Sequence, residues 1–146
     1  MTRARPKTDR IACPWLIERF IDPDAEILYV PPDKVLEFAE REDARSFDAP
    51  GAEFTHRGGN CSFEVLIEEF GLASDPALQR LARIVHAADV SEDRDSDPFG
   101  ACLEAIGEGG LLAEGEDDAL LAKGKFVYDA LYAWCGEHAG EASRAP

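Results

Sequence analysis

Residues 60–90 read NCSFEVLIEEFGLASDPALQRLARIVHAADV, and their spacing predicts two successive helices. Phe63, Leu66, Ile67 and Phe70 fall on one stripe, and Gly71 stops the pattern. Asp75-Pro76 then supplies an N-cap and a first-turn proline for a helix that turns Leu78, Leu81, Ala82 and Val85 inward. Two amphipathic helices in a row need other elements to cover their apolar stripes, so the flanking sequence is read for partners.

Towards the N-terminus, Ile11 to Phe20 reads as a helix with Pro14 in its first turn, ended by Asp22-Pro23-Asp24. Glu26 to Val30 suits a strand, Pro31-Pro32 breaks it, and Lys34 to Glu42 resumes helical spacing. Short extended pieces are expected at Ser46 to Asp48 and Ala52 to Thr55, turning at Pro50-Gly51. In the other direction, Val90 to Pro98 is an exposed acidic loop, Phe99 to Ile106 a helix and Gly107 to Gly110 a break. Leu111 to Ala113 carries no clear pattern. Asp118 to Cys135 is apolar nearly all round and is expected to be a centrally packed helix. The expectation is an α+β fold, mainly helical, with a small sheet in the N-terminal half packed by five to six helices. Its boundaries are a basic tail at 1–8, one domain at 9–138 and a second tail at 139–146.

At 146 residues, a single domain can bury roughly 68–70% of the surface its unfolded chain exposes. Thirty acidic against 15 basic residues leave a net charge of -15, which repels nucleic acid and anionic membranes over most of the surface. Direct DNA binding and membrane insertion are therefore not expected. Cys13, Cys61, Cys102 and Cys135 lie far apart with no CxxC, so reduced thiols in a cytoplasmic protein are expected rather than a zinc ribbon or disulfide framework.

The stretch His56 to Glu64, HRGGNCSFE, carries the candidate chemistry. Glycines admit a ligand close to the backbone, Arg57 can fork onto two oxygens, and Asn60 would cap a helix whose N–H groups attract anions. Cys61 in the first turn would have its thiol pKa lowered, and Cys13, preceded by Arg10, is read the same way. Arg10, Arg57, Asn60 and Trp15 are thus candidate ligand-binding residues for a small oxyanion, with Cys61, Cys13 and His86 as candidate catalytic groups. Cys102 and Cys135 are read as structural. The competing reading is a divalent transition metal on His56, Glu64, His86 and Asp89, since His86 and Asp89 share one helix face three residues apart. Asp129, inside the most apolar segment, needs a partner if buried, for which Arg10 or Arg19 is suited.

Four blocks together, DRIACPWLIERFIDPDAEILYVP (9–31), FDAPGAEFTHRGGNCSFEVLIEEFGL (47–72), RIVHAADV (83–90) and VYDALYAWC (127–135), resemble the C-terminal domain family of the chromate-resistance protein ChrB. The resemblance implies a role in resistance to chromate, a tetrahedral oxidising dianion, or in sensing it. Longer members join this domain to a region linked to transcriptional regulation or to a sulfurtransferase domain, so it also implies a protein partner of one of those kinds. A thiol-based oxyanion or sulfur-compound reductase is a further alternative.

Overall fold

In the computed structural model, which describes residues 1–140, the two central helices form as the spacing predicts. They are α3 (Ser62–Glu69) and α4 (Pro76–Asp89). Asp75 caps α4, its Oδ1 accepting from the Ala77 and Leu78 amides at 2.8 and 3.2 Å, and Pro76 opens the first turn. The remaining elements are β1 (Thr2–Arg3), α1 (Asp9–Leu16), β2 (Tyr29–Val30), α2 (Val35–Arg41), α5 (Gly100–Ala113) and α6 (Asp117–His138). The fold is α+β and mainly helical, with a small sheet near the N-terminus, as expected.

Helix α4 is the hub. It packs against α3, α5 and α6, and Leu78, Leu81, Ile84 and Val85 are fully buried among Phe63, Leu66, Leu16 and Trp15. Burying each large apolar side chain contributes about 1.5–3 kcal/mol, so this layer is a major stabilising part of the fold. Trp15 is part of that core, and its Nε1 donates to Asp129 Oδ1 at 2.8 Å. Arg19 Nη1 meets the same oxygen at 2.6 Å, one of the two partners expected for Asp129.

Several expectations are corrected. Residues 1–8 are not a tail: Met1 and Thr2 are buried, and β1 pairs in parallel with β2 in the register Thr2 to Tyr29 and Arg3 to Val30. The expected strand at Glu26 to Val30 is reduced to its last two residues. The first helix begins at Asp9 and continues past Leu16 as a π-helical turn, Ile17–Ile21. The expected tail at 139–146 lies outside the described residues from 141 onward.

Gly107 to Gly110 does not interrupt α5. A Cβ at Gly107 would come within 2.8 Å of the Lys7 side chain, and one at Gly110 within 3.0 Å of Leu120. These glycines allow close packing, and tertiary contact overrides their low helix propensity. Helix α6 is long but not centrally buried; Leu120, Leu121, Tyr128 and Cys135 face the core while Phe126 is 74% exposed. The segment Ser91–Ser96 is an exposed 3₁₀ turn, and the buried ion pair Arg80–Asp97, 2.5 Å, anchors its far end to α4.

Candidate functional site

The HRGGN stretch is a tight hairpin. Arg57 and Asn60 exchange backbone hydrogen bonds at 3.0 Å, and Gly58 and Gly59 occupy the two turn positions at φ +58° and +87°. Positive φ at both central residues is the geometry of a two-residue turn whose twist matches the flanking strands, which glycine meets without strain. The glycines therefore serve the turn. Arg57 points outward, its Nη1 2.6 Å from Glu69 Oε1 and its Nη2 donating to the Glu53 carbonyl. Asn60 is exposed enough to reach Glu68 and does not cap α3; that position belongs to Cys61. Arg57 and Asn60 thus form no anion cradle.

The thiols behave oppositely to expectation as well. Cys61 is fully buried, and desolvation, reinforced by the negative charge of Asp9, pushes its pKa up and outweighs the helix terminus. Cys13 lies inside α1, equally buried, and is pushed up by desolvation and then by Asp9 and Asp48. Both are held as neutral thiols. Cys135 is buried as expected of a structural residue, whereas Cys102 is exposed. Arg10 is spent on the protein itself, its Nη1 donating to the Ala4 carbonyl at 3.0 Å and its Nε 3.4 Å from Asp48 Oδ2.

His56, next to Arg57, turns the other way and enters a cluster of carboxylates. Its Nε2 lies 2.9 Å from Asp89 Oδ2, 3.6 Å from Asp48 Oδ1 and 3.7 Å from Asp9 Oδ2. Four separate parts of the chain build this site: Asp9 opens α1, Asp48 follows the bridge between Phe47 and Phe54, His56 enters the hairpin, and Asp89 ends α4. The N-terminus of α3 lies beneath it. The Ser62 amide donates to Asp9 Oδ2 at 2.7 Å, and the Ser62 hydroxyl donates to Asp48 Oδ1 at 2.9 Å. Arg3 Nη2 also reaches Asp48 Oδ2 at 3.2 Å, so Asp48 has cationic company.

Asp9 does not. It is completely buried, and its Oδ1 has no hydrogen-bond partner among the described residues. Desolvation first, then repulsion from Asp89 and Asp48, raises its pKa well above the ordinary carboxylate range despite two helix amides. Asp89 is raised by burial and by Asp48, against the attraction of His56. Asp9, Asp48 and His56 offer ligand atoms that all lie within 4.8 Å of one another. An oxygen-rich donor set with one imidazole suits hard or borderline divalent cations.

The family model for the ChrB C-terminal domain matches residues 1–135. The chain belongs to the ChrB C-terminal domain family. Its sequence is 42% identical over 131 residues to Protein ChrB of Cupriavidus metallidurans, covering 90% of this chain. The chain spans 39% of that relative's length. No solved structure matches it. No helix among the described residues is long and apolar enough to cross a membrane.

In this ChrB C-terminal domain a second cluster adjoins the first. His86 Nδ1 lies 2.7 Å from Glu64 Oε2, and its Nε2 lies 2.8 Å from Asp93 Oδ2. Burial pulls the imidazole pKa down, but hydrogen bonds to the Asp93 and Glu64 carboxylates outweigh it and the net shift is upward. The same Glu64 Oε2 accepts from the Cys61 amide at 2.9 Å, closing the helix cap. The four ligands expected together therefore divide: His56 faces Asp89, and His86 faces Glu64. Sequence reasoning missed Asp9 and Asp48, which lie in the family-like blocks but carry no periodic or motif signal.

Proposed function

We propose that this domain serves chromate resistance through a divalent cation held by Asp9, Asp48, His56 and Asp89. The observation that carries this reading is the buried Asp9 Oδ1, without a hydrogen-bond partner among the described residues, on a side chain whose charged neighbours are two other carboxylates, Asp48 and Asp89. A buried carboxylate in low dielectric must be protonated, paired or metal-bound, and the surrounding donors are those a cation takes. Oxygen donors with a single imidazole favour Mn²⁺, Mg²⁺ or Fe²⁺ over thiolate-loving ions. An oxyanion such as chromate would then meet the positive charge of the cation, since Arg57 is engaged at the surface.

Elemental analysis of protein purified without chelator or histidine tag, followed by melting in added Mn²⁺, tests the reading. About one equivalent of metal at this position and a rise in melting temperature that Asp9→Asn abolishes are expected. Metal-free protein with a melting temperature indifferent to Mn²⁺, Mg²⁺ and Fe²⁺ would sink it. Sulfate retained only by cation-loaded protein is the matching result for the oxyanion. The cytoplasmic setting and a regulatory or sulfurtransferase partner belong to the same proposal, motivated by family membership and by the chain covering less than half of its relative.

A further inference from the structure

We propose that Cys61, Glu64 and His86 form a second cation position beside the first, so that the loaded domain carries a binuclear centre. The inference rests on the first position being a cation site. The ligand atoms of Cys61, Glu64 and His86 all lie within 4.8 Å of one another. A sulfur, an oxygen and an imidazole nitrogen make a borderline donor set, suited to Zn²⁺, Fe²⁺ or Co²⁺ rather than to Mg²⁺.

Two features of the scaffold make the positions neighbours. Adjacent amides at the start of α3 hold the two carboxylates, Cys61 N–H on Glu64 and Ser62 N–H on Asp9. On α4, His86 and Asp89 are three residues apart and project from one face, where Cβ atoms sit about 5–6 Å apart. Each position thus takes one ligand from α4 and one carboxylate anchored at the α3 terminus.

Asp93 supplies the carboxylate that would orient His86 as a ligand. It lies outside the Cys61–Glu64–His86 group and engages only the far nitrogen of His86, Nε2, leaving Nδ1 directed at Glu64. A carboxylate on the second ring nitrogen is how metal-binding histidines are oriented and made better donors. On loading, the Cys61 thiol and the His86 Nδ1 release any proton they carry to solvent, so binding is proton-coupled. Nothing is oxidised or reduced in that step.

Metal stoichiometry of the full chain separates this inference from the reading beneath it. Reconstitution with Co²⁺ followed by gel filtration is expected to leave two equivalents per chain, falling to one in His86→Gln and in Glu64→Gln. A sulfur-to-Co²⁺ charge-transfer band is expected in the parent and lost in Cys61→Ser. Asp93→Asn, an exposed positioning residue, is expected to weaken the second equivalent by roughly 10–100-fold while leaving the first unchanged. One equivalent that is indifferent to His86→Gln and Glu64→Gln overturns the second position and leaves the first standing. No bound Co²⁺ overturns both, and circular dichroism melts of each variant exclude misfolding as the cause.

Discussion

His56 and Arg57 are adjacent, yet one turns into a buried group of carboxylates and the other out to a surface ion pair with Glu69. The inward side gathers three carboxylates around one imidazole, the proposed cation position; the outward side is half exposed and screened by solvent. Composition alone would assign the arginine to the site and the carboxylates to the surface. The reverse holds here because successive residues of extended chain point to opposite faces, so His56 reaches Asp89 at the end of α4 while Arg57 faces Glu69.

The sharpest break between the two sides is expected from Asp9→Ala. It removes the acceptor of the Ser62 and Phe63 amides together with a proposed cation ligand. Each amide left buried and unsatisfied costs about 1–3 kcal/mol, so a large fall in melting temperature and loss of the Mn²⁺ response should appear together. A variant that melts like the parent and still responds to Mn²⁺ would contradict both roles.

Asp89→Asn should act in two directions at once. In metal-free protein it relieves repulsion with Asp9 and Asp48 and should raise the melting temperature by roughly 3 °C, while the Mn²⁺-dependent rise shrinks. The metal-free gain should also depend on pH. Because burial and mutual repulsion raise Asp9 and Asp89, the folded state holds protons that the unfolded chain releases, with its carboxylates at 3.8. Their contribution is fullest at acid pH and lost as pH rises through the folded values. Calorimetry should therefore find the Asp89→Asn gain largest near about pH 8 and shrinking towards about pH 5. A gain that is flat across that range would remove the electrostatic explanation.

The smallest effect is expected on the outward side. Arg57→Ala breaks a surface pair and should change stability by less than about 0.5 kcal/mol, leaving metal content and sulfate retention as in the parent. A drop in sulfate retention would return Arg57 to the site and undo the contrast.

Much of the frame was legible in the sequence. Helices α3 and α4 followed from apolar spacing, the Asp75-Pro76 start and the Gly71 stop, which are local signals. His56, Glu64, His86 and Asp89 were legible as polar residues beside helix ends. Their division into two clusters was not, because it depends on how the hairpin approaches α4. Asp9 escaped notice for the same reason: its principal partners, the Ser62 and Phe63 amides, lie 53 and 54 residues away.

The sequence by itself determined where helices begin, what stripes they bury and that the chain is strongly acidic. Those properties depend on propensity, periodicity and composition. Only the tertiary structure decided that Cys61 is a buried neutral thiol, that the glycines of HRGGN shape a turn, and that Asp9 accepts from the amides of the α3 terminus. A thiol or carboxylate takes its character from the charges and solvent around it, and those neighbours are assembled from segments that the linear order keeps apart.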